Sequence, residues 1–579
     1  MARRTEYALL AGIVAFAAAL RLGDLAPEHS PSFHPALGSV LFVDDLLRTS
    51  GVWGAIRHWT TLFSSVQGLS LIDRSVVAFP PAVLAQLVLG PSLALPAYLG
   101  TLHGLAGVVL AWAAGRATNG PAMGLLFAAL LAVSPVEIVW CRIGGLYITC
   151  VPHLLLGILC AQAAARRQSA MLAAAAGVVA WLSLYDYYAA RLIIPVGLGI
   201  LLCSGVERSR MAWLVASFLA PLLAGQLTWS TEALIQTLWP AAGGGFLPPA
   251  ERSVGNLAAL AWGRWQVHWW PTLQLVFTAG RSTPAAPWGW GMDSGGMLPV
   301  LVLLLGAVGF VLALAAPRRH AAWLLLAVLG YAMTALSGAE VRRLLPVDVA
   351  WNYFAALALA GLLRSRGVAA LPRPLVAAGV ALGLGATGAW SVVAIASLTR
   401  HATAELASIP FGGGRLGEAI MCRPCSMLAS YWHGRIRDGT LVVLFDHDRM
   451  RDLRIFRLGL RGYGMLAALD AGHPPYFTTA CGDSQWRPAS DPARANCRSD
   501  PARLRAHLAS VHPAPGSVSF YFTAPADDRP LVAALGTLGE TTRPLAGSPH
   551  VEITIDATRI SEALDLVNRA ASPAASGIR

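Results

Sequence analysis

MARRTEYALLAGIVAFAAALRLG (residues 1–23) decides the setting of the whole chain. Two arginines precede an apolar run long enough to cross a hydrocarbon layer of about 30 Å, and no convincing small-residue cleavage site follows it. The run reads as a retained first span with its N-terminus in the cytoplasm. The rest of the sequence agrees. Of 579 residues 55% are hydrophobic and 13% charged, and the mean hydropathy is +0.56, which describes an α-helical polytopic membrane protein.

The formal charge of +12 is carried by arginine alone, since the sequence contains no lysine. A Walker-type phosphate loop, which needs its lysine, is therefore excluded. The arginines sit mostly in short clusters between apolar runs, as orientation signals do, which argues against nucleic acid as a partner. The clusters are Arg3 and Arg4, Arg116, Arg166 and Arg167, Arg208 and Arg210, Arg318 and Arg319, then Arg364 through Arg373. Placed on the cytoplasmic side, they leave eleven spans, near residues 5–22, 93–115, 122–135, 147–165, 170–184, 191–205, 211–229, 297–316, 321–338, 344–363 and 374–398. FPPAVLAQLVLG (residues 79–90) is too short to span and would invert every later cluster, so it reads as an interfacial segment.

This topology divides the chain into a membrane domain, residues 1–399, with long outer loops at 23–92 and 230–296, and an extracytoplasmic domain, residues 400–579. In the tail, charge and turn formers return. TLVVLFD, SVSFYFTA and HVEITID read as strands and DPARLRAHLASV as a helix, giving a small α/β domain. Cys422, Cys425, Cys481 and Cys497 fall there, where an oxidising exterior favours disulfides of undetermined pairing. The spacing of Cys422 and Cys425 also suits a redox pair or half of a zinc site. The other four cysteines are expected to be buried packing residues.

SVLFVDDLLRTSG (residues 39–51) places Asp44 and Asp45 side by side in the first outer loop, between apolar stretches. A carboxylate near lipid is costly without a partner or a task. At a membrane surface it can take the proton of an acceptor hydroxyl, as glycosyl transfer from a lipid-linked sugar requires. The bland alternative is a solvated loop that simply carries charge.

One span, an outer loop with an acidic pair, the Phe79-Pro80-Pro81-Ala82 segment and then many spans resemble the GT-C superfamily of lipid-phosphate-sugar-dependent membrane glycosyltransferases. The likeness is to protein O-mannosyltransferases and aminoarabinose transferases, the family 39-type bacterial branch. AVSPVEIVWCRIGGLYITC (residues 132–150), LSLYDYYAARLIIP (182–195) and VRRLLPVDVAWNYFAALAL (341–359) are similar to further short motifs of that branch. The resemblance covers residues 5–400 and leaves the tail uncovered. It implies Asp44 as the catalytic carboxylate, with Asp45 where the family has Glu. Five residues after Arg142, where many relatives carry a second acid, stands Tyr147, so that role is unfilled or passes to Glu137.

A polyprenyl-phosphate donor needs a cation at headgroup depth, and Arg191, Arg342 and Arg343 are the candidates. Each has the competing reading of an arginine that snorkels or anchors a helix end. Tyr185 and Asp186 lie beside Arg191, and Glu340 beside Arg342, where the acids have the competing reading of simple partners. Glu137, Arg142, Tyr147, Tyr185, Asp186, Arg264 and His268 are the candidate substrate-binding residues. The second outer loop holds seven of the 19 tryptophans, between Trp239 and Trp290. An interfacial aromatic belt explains them; alternatively they line a sugar or lipid site with Arg264 and His268. His103 and His153 read as satisfied packing histidines. No strong metal spacing occurs, so a divalent cation would have only Asp44 and Asp45 to bind.

The expected function is an inverting glycosyltransferase at the outer face of a cell membrane, which the branch resembled and the Arg-only, Ala-rich composition suggest is a bacterial inner membrane. It would carry sugar from a polyprenyl phosphate to a lipid, glycan or protein hydroxyl. The rival readings are a lipid or glycan transporter or flippase, and a non-catalytic lipid-binding relative.

Overall fold

A computed structural model describes residues 3–23, 34–63, 75–92, 94–142, 144, 146–226, 254–277, 298–337, 341–365, 372–408, 431–445, 464–469, 471–473, 476–479, 501–522, 529–543 and 551–571. The chain forms two compact units: residues 1–25, 45–87 and 96–398, and residues 26–44, 88–95 and 399–579.

The first unit is helical. Helices lying wholly or mostly in it begin with α1 (Arg3–Leu22), α2 (His34–Leu62), α3 (Phe79–Leu89), α4 (Leu95–Asn119), α5 (Pro121–Ala132), α6 (Pro135–Arg142), α7 (Cys150–Arg167) and α8 (Ala170–Leu182). They continue with α9 (Ile193–Leu202), α10 (Arg208–Gln226), α11 (Val254–Phe277), α12 (Val300–Ala315), α13 (Pro317–Ser337), α14 (Leu345–Arg364) and α15 (Arg373–Ser408). Every run expected to span falls on one of these helices. Among the described residues six helices are long and apolar enough to cross a membrane alone, or seven if α5 and α6, bent by 54°, count as one. The bend follows from Ser134 and Pro135: proline is well placed at a helix start and cannot continue the preceding hydrogen-bond ladder.

Lipid gives apolar helices little reason to associate, so close packing must hold them. Gly309 on α12 meets the backbone of Phe354 on α14, and Gly177 on α8 meets that of Phe218 on α10; a Cβ at either glycine would collide. Leu10 and Ala17 of α1 pack with Val108, Ala128 and Ala132 of α4 and α5. The arginine clusters come to one end of this unit. Arg116 pairs with Glu6 at 2.8 Å. The C-terminal carbonyls of α4 accept from Arg319 (Thr118, 3.0 Å) and Arg364 (Asn119, 3.1 Å), and Arg210 donates to Gln168 at the end of α7 (3.1 Å). Cations suit helix C-termini, whose last carbonyls lack intrahelical partners.

Two expected loops contain helices. Asp44 and Asp45 lie on α2, whose backbone breaks at Gly51 (φ 62°), a conformation that suits glycine. The tryptophan-rich segment forms α11 through Pro271. Cys203 is exposed, whereas Cys141 and Cys150 are buried and Cys160 half-buried. The four tail cysteines lie outside the described residues.

The second unit contains a mixed sheet of order β2-β1-β3-β5-β4. Its strands are β1 (Thr440–Phe445), β2 (Phe477–Thr479), β3 (Ser517–Phe522), β4 (Glu540–Thr542) and β5 (Val551–Asp556). β1 runs parallel to β2 and β3, while β5 runs antiparallel to β3 and β4. Helices α16 (Pro501–Ser510), α17 (Arg529–Gly536) and α18 (Ile560–Ala571) accompany it. All of β1 is buried, the pattern of a strand covered on both faces. Trp432 and Tyr521 meet edge to face in the core, their rings 5.2 Å apart.

Candidate active site

The helix ends opposite the arginine-rich end carry buried charge. Glu137, in the first turn of α6, pairs with Arg21 of α1 at 3.3 Å, and neither side chain has any exposure. Arg21 also donates to the carbonyls of Ala17 (3.2 Å), Ala132 (2.8 Å) and Leu131 (3.4 Å), covering the open end of α5. Reciprocally, Arg142 donates to the carbonyls of Leu20 (3.2 Å) and Gly23 at the end of α1. Glu137 and Arg142, expected among substrate-binding groups, thus tie α1 to the bent α5–α6 pair. Asp348, in the first turn of α14, accepts from Ser134 (2.8 Å) and Asn352 (3.1 Å).

Between α8 and α9 the chain breaks into two short 3₁₀ turns, Ser183–Tyr185 and Tyr188–Leu192, with Asp186 between them. Asp186 is buried, accepts from Thr149 and meets His153 Nδ1 at 2.8 Å. Thr149 and His153 are four residues apart on the start of α7, hence on one face. His153 is therefore the partner of an acid. His103, by contrast, fits the packing expectation through the Leu99 carbonyl at 2.7 Å.

The same break builds a run of rings. Trp140 meets Tyr147 (centroids 4.8 Å), Tyr147 meets Tyr187 (4.7 Å) and Tyr187 meets Tyr188 (4.4 Å). The guanidinium of Arg343 lies over Tyr188, 5.8 Å from its centroid. Arg191, nearly buried, donates to the Leu184 carbonyl (3.1 Å) and is close enough to Asp186 to feel its charge, with Tyr188 nearby. Arg264 on α11 also comes into this field: burial, and then the like charge of Arg343, lower the pKa of its guanidinium. His268 follows Arg264 by one turn of α11 and is half-buried. Tyr331 of α13 holds α11 in place, donating to the Trp269 carbonyl at 2.5 Å with its ring 6.1 Å from that of Trp265. Tyr185 donates to the Phe63 carbonyl (3.2 Å) just beyond α2, fixing that end of α2 beside Trp181 and Tyr185.

Thus Tyr147, Asp186, Arg191, Arg264 and Arg343 are brought together, with Tyr185 at the margin. The ring partners Trp140, Tyr187 and Tyr188 and the acid partner His153 were not singled out as site residues. Arg342's side chain and Glu340 lie outside the described residues. Asp44 is half-buried and Asp45 exposed; the unit boundary falls between them. Consecutive residues on a helix diverge by about 100°, so the two carboxylates do not form one chelating pair. Among the described residues no group of three or more His, Cys, Asp or Glu is placed to hold a metal ion.

No protein-family model matches the sequence, and no curated protein matches it. Solved structures with a similar fold include the apo oligosaccharyltransferase of Archaeoglobus fulgidus, with TM-score 0.46 and 13% identity over 81% of this chain and 69% of that one. A second is AglB from the same organism, in complex with an inhibitory peptide and a dolichol-phosphate (TM-score 0.48, 12% identity, 92% and 71% covered). A third is ArnT from Cupriavidus metallidurans bound to undecaprenyl phosphate (TM-score 0.47, 12% identity, 96% and 99% covered). These are likenesses of fold alone, and no residue role is carried across from them.

Proposed function

We propose that the chain is a membrane glycosyltransferase that inverts the anomeric carbon, taking sugar from a polyprenyl monophosphate and passing it to a hydroxyl of a lipid, glycan or protein. The observation that carries this reading is the guanidinium of Arg343 over the Tyr188 ring, 5.8 Å from its centroid, with Arg264 close enough to share its field. Two like charges held together repel, and a phosphate between them turns that repulsion into attraction. Arg191 is close to Tyr188 as well, and that half-buried ring, backed by the buried rings of Trp140, Tyr147 and Tyr187, offers an aromatic surface to a sugar or an isoprenoid.

In the reaction, Asp44 takes the acceptor proton as the acceptor oxygen bonds to the anomeric carbon. The bond from that carbon to the phosphate oxygen breaks, and the phosphate leaves with the extra negative charge. Arginine forks aimed at it stabilise the charge as it develops. Asp45 contributes to acceptor binding. The arginine-rich end is cytoplasmic by the positive-inside rule, which assigns Tyr188, Arg191 and Arg343 to the outer face. Exposed Cys203 reports this sidedness: an impermeant maleimide should label it only in inverted membranes.

The direct test offers purified protein in lipid a panel of labelled polyprenyl-phosphate sugars, comparing wild type, Asp44→Asn and Arg343→Ala. Transfer abolished by Asp44→Asn and weakened by Arg343→Ala supports the roles; transfer indifferent to Asp44→Asn removes it as base. Neither donor binding nor transfer across the panel would turn the reading to a transporter or a non-catalytic lipid binder.

A further inference from the structure

A polar cavity lies at the arginine-rich end. It has a volume of about 700 Å³ and is formed by the ends of α4, α7, α9 and α13. Arg166, Arg318 and Arg319 line it together with Thr118, Gln162 and Ser204, and no acidic side chain is among the lining residues. Arg319 is oriented by its bond to the Thr118 carbonyl at 3.0 Å. Three guanidinium groups around one concavity favour an anion, and phosphate fits their planar forks best.

Gln162 adds an independent demand. It is 7% exposed, and its Oε1 has no hydrogen-bond partner among the described residues. A buried acceptor left unpaired is costly, so the occupant that completes this cavity brings a hydrogen-bond donor as well as an anion. Beside the opening, Leu202 at the end of α9 is 56% exposed, an apolar surface for an acyl chain. Phosphate, a hydroxyl and an apolar tail together describe one chemical class.

We propose that this cavity binds the headgroup of an anionic glycerophospholipid whose phosphodiester carries a free hydroxyl. The phosphate sits among Arg166, Arg318 and Arg319, and the headgroup hydroxyl donates to Gln162 Oε1. Basic cavities between helix ends at a membrane surface are suited to such headgroups. The site is separate from the proposed transfer centre and does not depend on it.

The experiment uses the full chain in neutral detergent with three probes: dihexanoyl phosphatidylglycerol, dihexanoyl phosphatidylmethanol and inorganic phosphate. Calorimetric titration should show phosphatidylglycerol binding most tightly, phosphatidylmethanol next and phosphate weakest. Arg166→Ala and Arg318→Ala should each weaken phosphatidylglycerol roughly fivefold, while Arg318→Lys retains most of the affinity. Gln162→Leu should make the two lipids equal without abolishing either. If Gln162→Leu does not fold, Gln162→Met serves the same comparison. Phosphate binding as tightly as phosphatidylglycerol would reassign the cavity to the free ion. Arginine variants without effect, or a lipid preference that survives loss of Gln162, would overturn the proposal.

Discussion

The same chemical pair is used in opposite ways by the two units. In the helical unit Arg21 and Glu137 face each other at 3.3 Å with no exposure of either side chain. In the sheet unit Arg559 and Glu562 stand 3.2 Å apart, one turn along a helix, with 43% and 56% of their side chains exposed. Distance barely differs; the surrounding medium does. A buried charge without its partner has neither water nor counter-ion to stabilise it, whereas an exposed one is solvated whether or not its neighbour remains. The Arg21–Glu137 pair therefore constrains the architecture of the first unit, whereas Arg559–Glu562 decorates the surface of the second, whose buried acid among the described residues is Glu552 with Arg435 at 3.5 Å.

The comparison breaks first at Arg21. Arg21→Met leaves Glu137 buried and alone, uncovers the carbonyls of Leu131 and Ala132, and should cost about 3–5 kcal/mol. Thermal unfolding in detergent reads this as a large fall in midpoint. Adding Glu137→Leu to Arg21→Met should restore much of the loss, because the orphaned charge goes too. A double variant no better than the single one would place the cost in the helix-end carbonyls rather than in the pair.

The arginines of the proposed site come next. They are held partly out of water, and a hydrogen bond to a charged group is worth about 1.5–3 kcal/mol. Arg343→Ala should therefore lower kcat/KM for sugar transfer roughly 10- to 150-fold, and Arg264→Ala should act in the same direction. Because the two arginines repel, the effects should not add: removing one relieves the other. Additive losses would separate Arg264 from the phosphate and leave it to anchor α11.

At the other extreme, Arg559→Ala should change stability of the sheet unit by a few tenths of a kcal/mol at most. Its bond to the Leu538 carbonyl at 3.0 Å is the only part of that small change not shared with Glu562→Ala. A loss above about 1 kcal/mol in either variant, measured by denaturant unfolding, would show that exposure understates how firmly this pair is held.

These contrasts explain what could be read from the sequence. The apolar runs land on helices because hydropathy is summed over many residues, and the arginine clusters meet at one end because they flank the same joints between helices, at the N-terminal ends of α1, α10 and α13 and the C-terminal ends of α4, α7 and α14. β1, β3 and β5 are legible as six-residue strand-like runs, apolar in β1 and with polar and apolar residues interleaved in β3 and β5, while β2 and β4, three residues each, are too short to carry a pattern. The acidic pair and the tryptophan-rich stretch read as outer loops because the arginine-based topology leaves both between spans, yet α2 and α11 run through them. The site itself was legible only in part. Arg191 and Arg343 stand out as charges at apolar ends, but Arg21 meets Glu137 across 116 positions and His153 meets Asp186 across 33, and neither pairing leaves a local trace. A buried histidine looks the same in sequence whether its partner is a carbonyl, as for His103, or an acid.

The smallest effect concerns an exposed carboxylate whose neighbours are all local. Asp556 caps the turn that starts α18, accepting from the backbone NH of Thr558 at 2.9 Å and from its hydroxyl at 2.8 Å. These donors favour the charged form and hold its pKa below the usual aspartate value. The folded pKa being depressed, the stabilisation is complete above the unfolded value near 3.9 and is lost as pH falls through the folded one. Carboxyl resonances followed by NMR from pH 6 to 2 should show Asp556 titrating late. In Thr558→Ala its midpoint should move upward, with the backbone donor retaining part of the depression. A midpoint unmoved by Thr558→Ala would assign the whole shift to the backbone NH, and in that case even the weakest charge in the sheet unit is set by its helix end rather than by a side chain.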